Sequence, residues 1–94
     1  MKQKILIVDD EKPLRDTLAR WFRPSYDCLV APDADEAMKI VAANPDLALM
    51  ITDVRMPGED GVSLLRRAKA ANPDMVQSVS EAVTLISVLV TLRL

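Results

Sequence analysis

Three aspartates hold most of the chemistry this sequence can offer: Asp9 and Asp10, side by side, and Asp53 further along. Each group ends an apolar run, Ile5-Leu6-Ile7-Val8 before the pair and residues 47–52 before Asp53. Carboxylates gathered at one rim repel one another, so they need a cation among them or raised pKa values. The chain has no histidine and one cysteine, Cys28. An oxygen-only donor set selects a hard cation, Mg²⁺ or Mn²⁺, with waters completing the octahedron. An Asp-Asp pair at a strand end also serves as a helix cap or a turn. The metal reading therefore requires the two apolar runs to lie next to each other.

The intervening elements make that adjacency plausible. Unbroken aliphatic runs, rather than alternating ones, belong to strands covered on both faces, as in a parallel sheet. Pro13 suits a first helical turn, where its missing N–H costs nothing. Leu14, Leu18, Trp21 and Phe22 mark one helical face, ended by Arg23-Pro24. Residues 26–31 form a second strand. Asp33 and Glu36 resemble a capping box before a helix whose stripe is Ala34, Ala37, Met38 and Val41, closed by Asn44-Pro45. After the third strand, Pro57-Gly58 marks a loop. A third helix over residues 61–71 turns Leu64, Leu65, Ala68 and Ala71 inward, and Asn72-Pro73 stops it. The order βαβαβα implies a parallel sheet with right-handed crossovers, whose ligands bind beyond the carboxyl ends of the strands.

Composition narrows the rest. The 94 residues are 50% hydrophobic and carry 12 Lys+Arg against 14 Asp+Glu, so one ordered domain is expected and a disordered tail is excluded. A net charge of −2 argues against nucleic-acid binding by this chain. No stretch reaches the ~20 apolar residues of a membrane span, and no signal-peptide pattern opens the sequence. A cytoplasmic chain making no membrane contact is the expectation.

Lys4-Ile5-Leu6-Ile7-Val8-Asp9-Asp10-Glu11, followed later by Thr52-Asp53-Val54-Arg55-Met56-Pro57-Gly58-Glu59-Asp60-Gly61, resembles the receiver domain of two-component response regulators. The likeness covers residues 2 to about 75. It implies an α/β, flavodoxin-like parallel sheet with flanking helices, and a phosphorelay function. Asp53 would be the phosphoacceptor, taking a phosphoryl group from a sensor histidine kinase or phosphotransfer protein. Asp9, Asp10 and Asp53 would hold Mg²⁺ together with the backbone carbonyl of Arg55. The physics is compatible, because phosphoryl transfer needs positioning and charge neutralisation more than covalent chemistry. The resemblance implies a signalling module and no enzyme. A phosphatase built on an Asp nucleophile would need a second Asp two residues on, where Arg55 stands.

The pattern weakens after residue 75. The expected organisation is a receiver-like core over residues 1–75 and an atypical apolar segment over 76–94 of the same domain, C-terminally incomplete. Val79, Ala82, Val83, Ile86 and Val90 fit a helical stripe, while many β-branched residues fit a strand. The reading adopted is a helix from Asn72 through at least Ser87. In the family, a Ser or Thr ending the fourth strand and a Lys ending the fifth contact the phosphoryl group. The first would fall near Ser80 or Glu81, and no lysine follows Lys69. Impaired output switching is therefore expected. A three-stranded sheet with one edge open beside the third strand or the first, and an apolar tail, predicts a homo-oligomer, a C2 dimer in the simplest case, formed through residues 75–94; the rival is a tail that folds back as a fourth strand in a monomeric chain. The alternative function is a non-signalling receiver remnant acting as a protein-interaction or dimerisation module.

Overall fold

Ile5, Leu6, Ile7 and Val8 form the centre of β1 (Gln3–Val8), and all four are buried, as an unbroken aliphatic run demands. The computed structural model of the chain describes residues 2–53, 58–73 and 76–80. After β1 come α1 (Lys12–Phe22), β2 (Tyr26–Ala31), α2 (Ala34–Ala43), β3 (Leu47–Asp53), α3 (Gly61–Ala71) and β4 (Val76–Ser80). The described strands form one parallel sheet in the order β2-β1-β3-β4.

The pleat of β1 divides the core in two. Ile5 and Ile7 join Leu18 and Ala19 of α1 and Leu49 and Ile51 of β3 on one face. Leu6 and Val8 join Ala37 and Val41 of α2, Met50 of β3, and Leu64 and Ala68 of α3 on the other. Such alternation is what a strand sandwiched between helix layers produces. Both later helices open on the cap that local chemistry favours. The Asp33 side chain accepts the Glu36 N–H at 2.9 Å, and the Asp60 side chain accepts the Ser63 N–H at 2.7 Å. Proline sits in the first turn of α1 as expected.

Three expectations need correction. Trp21 is 52% exposed, because the buried stripe of α1 runs through Leu18 and Ala19 and leaves the indole at its margin. Ala71 is exposed at the end of α3, where the buried residue is Asn72, whose amide donates to the Pro45 carbonyl at 3.2 Å. The third correction is larger. Residues 76–80 do not continue a helix; they form β4, in parallel register with β3 from Leu49↔Val76 to Asp53↔Ser80. The unpaired edge of β3 offers a full ladder of backbone groups, and that gain is invisible to side-chain periodicity. The edge beside β3, one of the two to which the oligomer expectation was attached, is therefore paired within the chain. The remainder of the segment, 81–94, lies outside the described residues.

Candidate acidic site

The chain reverses direction across the sheet between its first and third strands. β1 leads to β2 on one side, and β2 leads back past β1 to β3 on the other. In open parallel sheets that switch point is where a crevice forms at the carboxyl ends. Val8 is the register partner of Thr52, so Asp9 and Asp53 leave neighbouring strands side by side. One carboxylate oxygen from each of Asp9, Asp10 and Asp53 lies within 4.8 Å of the others. The convergence expected from sequence is present. Ser80 is the register partner of Asp53 on its other side.

The three carboxyls sit in graded environments: Asp9 is 4% exposed, Asp53 is half-buried and Asp10 is exposed. Asp9 is held closely. Its N–H donates to the Ala31 carbonyl at 3.1 Å, its Oδ1 accepts the Glu11 N–H at 2.8 Å, and its carbonyl accepts Arg15 Nη1 at 2.7 Å. Thr52, fully buried, donates its hydroxyl to the Asp53 carbonyl at 3.1 Å. The far end of the β3–α3 loop is tied by Glu59, which accepts Ser63 Oγ at 3.0 Å and the guanidinium of Arg67. Gly58 in that loop has φ +88°, a left-handed conformation that strains any residue with a Cβ even though the space beside it is open. Arg55 and Pro57 lie outside the described residues, so the carbonyl expected from Arg55 has no geometry here. Sequence reasoning gave Arg15 no task, and an arginine six residues after Asp9 is no signal by itself.

Burial pushes the Asp9 carboxyl above its ordinary pKa. The Glu11 N–H opposes that rise, and the carboxylates of Asp53, Asp10 and Glu11 add to it. A carboxyl that binds its proton more tightly when folded makes the native state lose stability as pH climbs from the usual Asp value through the raised one. Asp9→Asn should therefore stabilise the protein in EDTA at pH 7 by about 1 kcal/mol, or roughly 4–8 °C in melting temperature. The advantage should shrink toward pH 4. A melting curve that is unchanged or lower at pH 7 contradicts this account of charge crowding.

The donor set fits a small hard cation. Ligand oxygens about 2.1 Å from Mg²⁺ stand roughly 3 Å apart at cis positions and roughly 4.2 Å apart at trans positions. A group already within 4.8 Å needs only a small closing movement.

The sequence profile of the response regulator receiver domain matches residues 5–86. The chain belongs to that family. Receiver domains are modules of two-component signalling, and the fold agrees. The receiver domain of the hybrid histidine kinase CckA is 30% identical with a TM-score of 0.73, the match covering 94% of this chain and 96% of that one. A receiver domain protein from Clostridium thermocellum superposes with a TM-score of 0.80 at 24% identity, over 97% and 75% of the two chains, and shows the fold. A response regulator from Burkholderia pseudomallei, solved with a phosphorylated aspartic acid, a calcium ion and citrate, gives a TM-score of 0.77 at 25% identity, covering 94% and 54%. The receiver match reaches beyond residue 75, where the motif-based likeness stopped, and takes in β4. No helix among the described residues is long and apolar enough to cross a membrane.

Proposed function

We propose that this receiver domain accepts a phosphoryl group on Asp53 from the phosphohistidine of a sensor histidine kinase or phosphotransfer protein. The observation that carries the reading is the convergence of Asp9, Asp10 and Asp53 at adjacent strand ends in a chain of this family. An Asp53 carboxylate oxygen attacks phosphorus, the P–N bond breaks, and the imidazole leaves with a proton. The product is an aspartyl phosphate. Asp9, Asp10 and Asp53, joined by the backbone carbonyl that the family resemblance assigns to Arg55, would hold Mg²⁺ or Mn²⁺. When bound, the cation neutralises charge on the phosphoryl oxygens and aligns them for in-line transfer. The Burkholderia neighbour, with its phosphorylated aspartic acid and calcium ion, supports both halves of this reading.

The register pairing of Ser80 with Asp53 is in keeping with the family's strand-end Ser or Thr position falling at residue 80. Residues 70–94 contain no lysine, so no ammonium from that segment pairs with the phosphoryl oxygens. The test is incubation with acetyl phosphate and Mg²⁺. Intact mass should rise by one phosphoryl group, peptide mapping should place it on Asp53, and EDTA should prevent it. No mass gain under excess donor, with the protein folded, leaves the interaction-module alternative in its place.

Self-association through residues 75–94 is the second part of the proposal, and with the β3 edge paired it rests on the apolar composition of that segment. Light scattering at micromolar concentration should give more than 10.4 kDa, and Ile86→Asp with Val90→Asp should reduce it to that value. A 10.4 kDa particle from the unmodified chain contradicts association.

A further inference from the structure

We propose that Arg15 is a positioning residue for the acidic pocket, fixing through the Asp9 carbonyl the peptide that aims Asp10 at the cation. This rests on the reading of the pocket as a cation site. Three bonds surround Asp9: its N–H to Ala31 of β2, its Oδ1 to the Glu11 N–H, and its carbonyl to Arg15 Nη1. The first holds the end of β1 and the second shapes the turn. Only the third acts on the peptide plane joining Asp9 to Asp10. Among the described residues no side chain fixes the exposed Asp10 carboxylate, so its direction depends on the main chain beneath it.

The start of α1 makes that anchor necessary. Its N-cap residue, Glu11, makes no side-chain capping bond, unlike Asp33 and Asp60 at the other two helices. The β1–α1 turn therefore lacks the usual lock on a helix entrance. Arg15 supplies one from a turn further along: its guanidinium reaches back to the Asp9 carbonyl at 2.7 Å. A charge-assisted bond of this length to a half-buried carbonyl is among the stronger kinds available.

Geometry and charge make opposite predictions, which makes the role testable. If Arg15 acted only as a nearby positive charge, removing it would strengthen Mg²⁺ binding, because one cation repels another. If it positions Asp10, removing it weakens binding by about ten-fold, the lower end of what supporting hydrogen bonds around metal ligands contribute. Arg15→Met keeps a stem of similar bulk and loses the donor; Arg15→Gln is a second variant should the first fail to fold. Arg15→Lys retains both charge and a donor of comparable reach, and should recover most of the affinity. The readouts are the Mg²⁺ dissociation constant, from amide shifts of Asp9, Asp10 and Asp53, and the melting temperature in EDTA. Weakened binding in folded Arg15→Met or Arg15→Gln, restored in Arg15→Lys, supports the proposal. Binding unchanged or tightened in a folded variant overturns it, as does a loss equal in Arg15→Lys. No Mg²⁺ response from the unmodified chain overturns the pocket reading itself, and this inference with it.

Discussion

Asp53→Asn is expected to abolish phosphoryl uptake from acetyl phosphate while leaving the fold intact. The amide is close in shape to the carboxyl it replaces but lacks the anionic oxygen that must attack phosphorus. The half-buried site at the end of β3 takes either group without overpacking. Asp10→Asn should give a graded result. On the proposed reading it leaves the nucleophile in place and removes one anionic ligand of the cation, so uptake should persist at a rate lower by about a hundred-fold. That corresponds to roughly 2.7 kcal/mol of lost transition-state stabilisation, the scale of a single well-placed electrostatic contact. Both variants should retain cooperative unfolding. Intact-mass time courses at fixed donor and Mg²⁺ check the pair. Uptake by Asp53→Asn at the unmodified rate would move the phosphoacceptor elsewhere, and equal rates for Asp10→Asn and the unmodified chain would remove Asp10 from the cation site.

Leu6→Ala is expected to cost 2–5 kcal/mol, by the transfer loss of a buried Leu side chain plus the cavity left behind. Leu6 has no exposed surface and faces α2 and α3 from the central strand, where helices on a rigid sheet collapse poorly around a void. A domain of this length has about 5–14 kcal/mol in all, so the variant could lose half its stability. Its melting temperature should fall by roughly 10 °C or more. Val30→Ala on the exposed edge strand is the control and should stay within about 0.5 kcal/mol. Urea midpoints should separate the two variants with similar slopes. A Leu6→Ala midpoint close to that of Val30→Ala would contradict the packing described for the α2–α3 face.

Much of this molecule was legible because its determinants are local. The residue types at 5–8 and 47–52 declare buried strands, Asp33 and Asp60 satisfy orphan helical N–H groups within three residues, and Asn-Pro pairs end two helices. The aspartates after β1 and β3 could be placed at strand ends by reading along the chain, and the motifs around them named the family. Other features were decided only by the fold. Whether Asp9 and Asp53 meet depends on strand order, which no local pattern encodes; the crossover past β1 brings them together. Gln77 and Ser78 make residues 76–80 a poor buried strand by side-chain pattern, yet these residues pair with the edge of β3, because backbone hydrogen bonds to a distant strand leave no mark on side-chain spacing. Trp21 fits the apolar stripe of α1 in projection, yet the rotation of that helix on the sheet turns it outward. The reach of Arg15 to the Asp9 carbonyl is likewise a product of where α1 sits, since a main-chain acceptor is present at every residue and only tertiary geometry chooses which one a guanidinium meets.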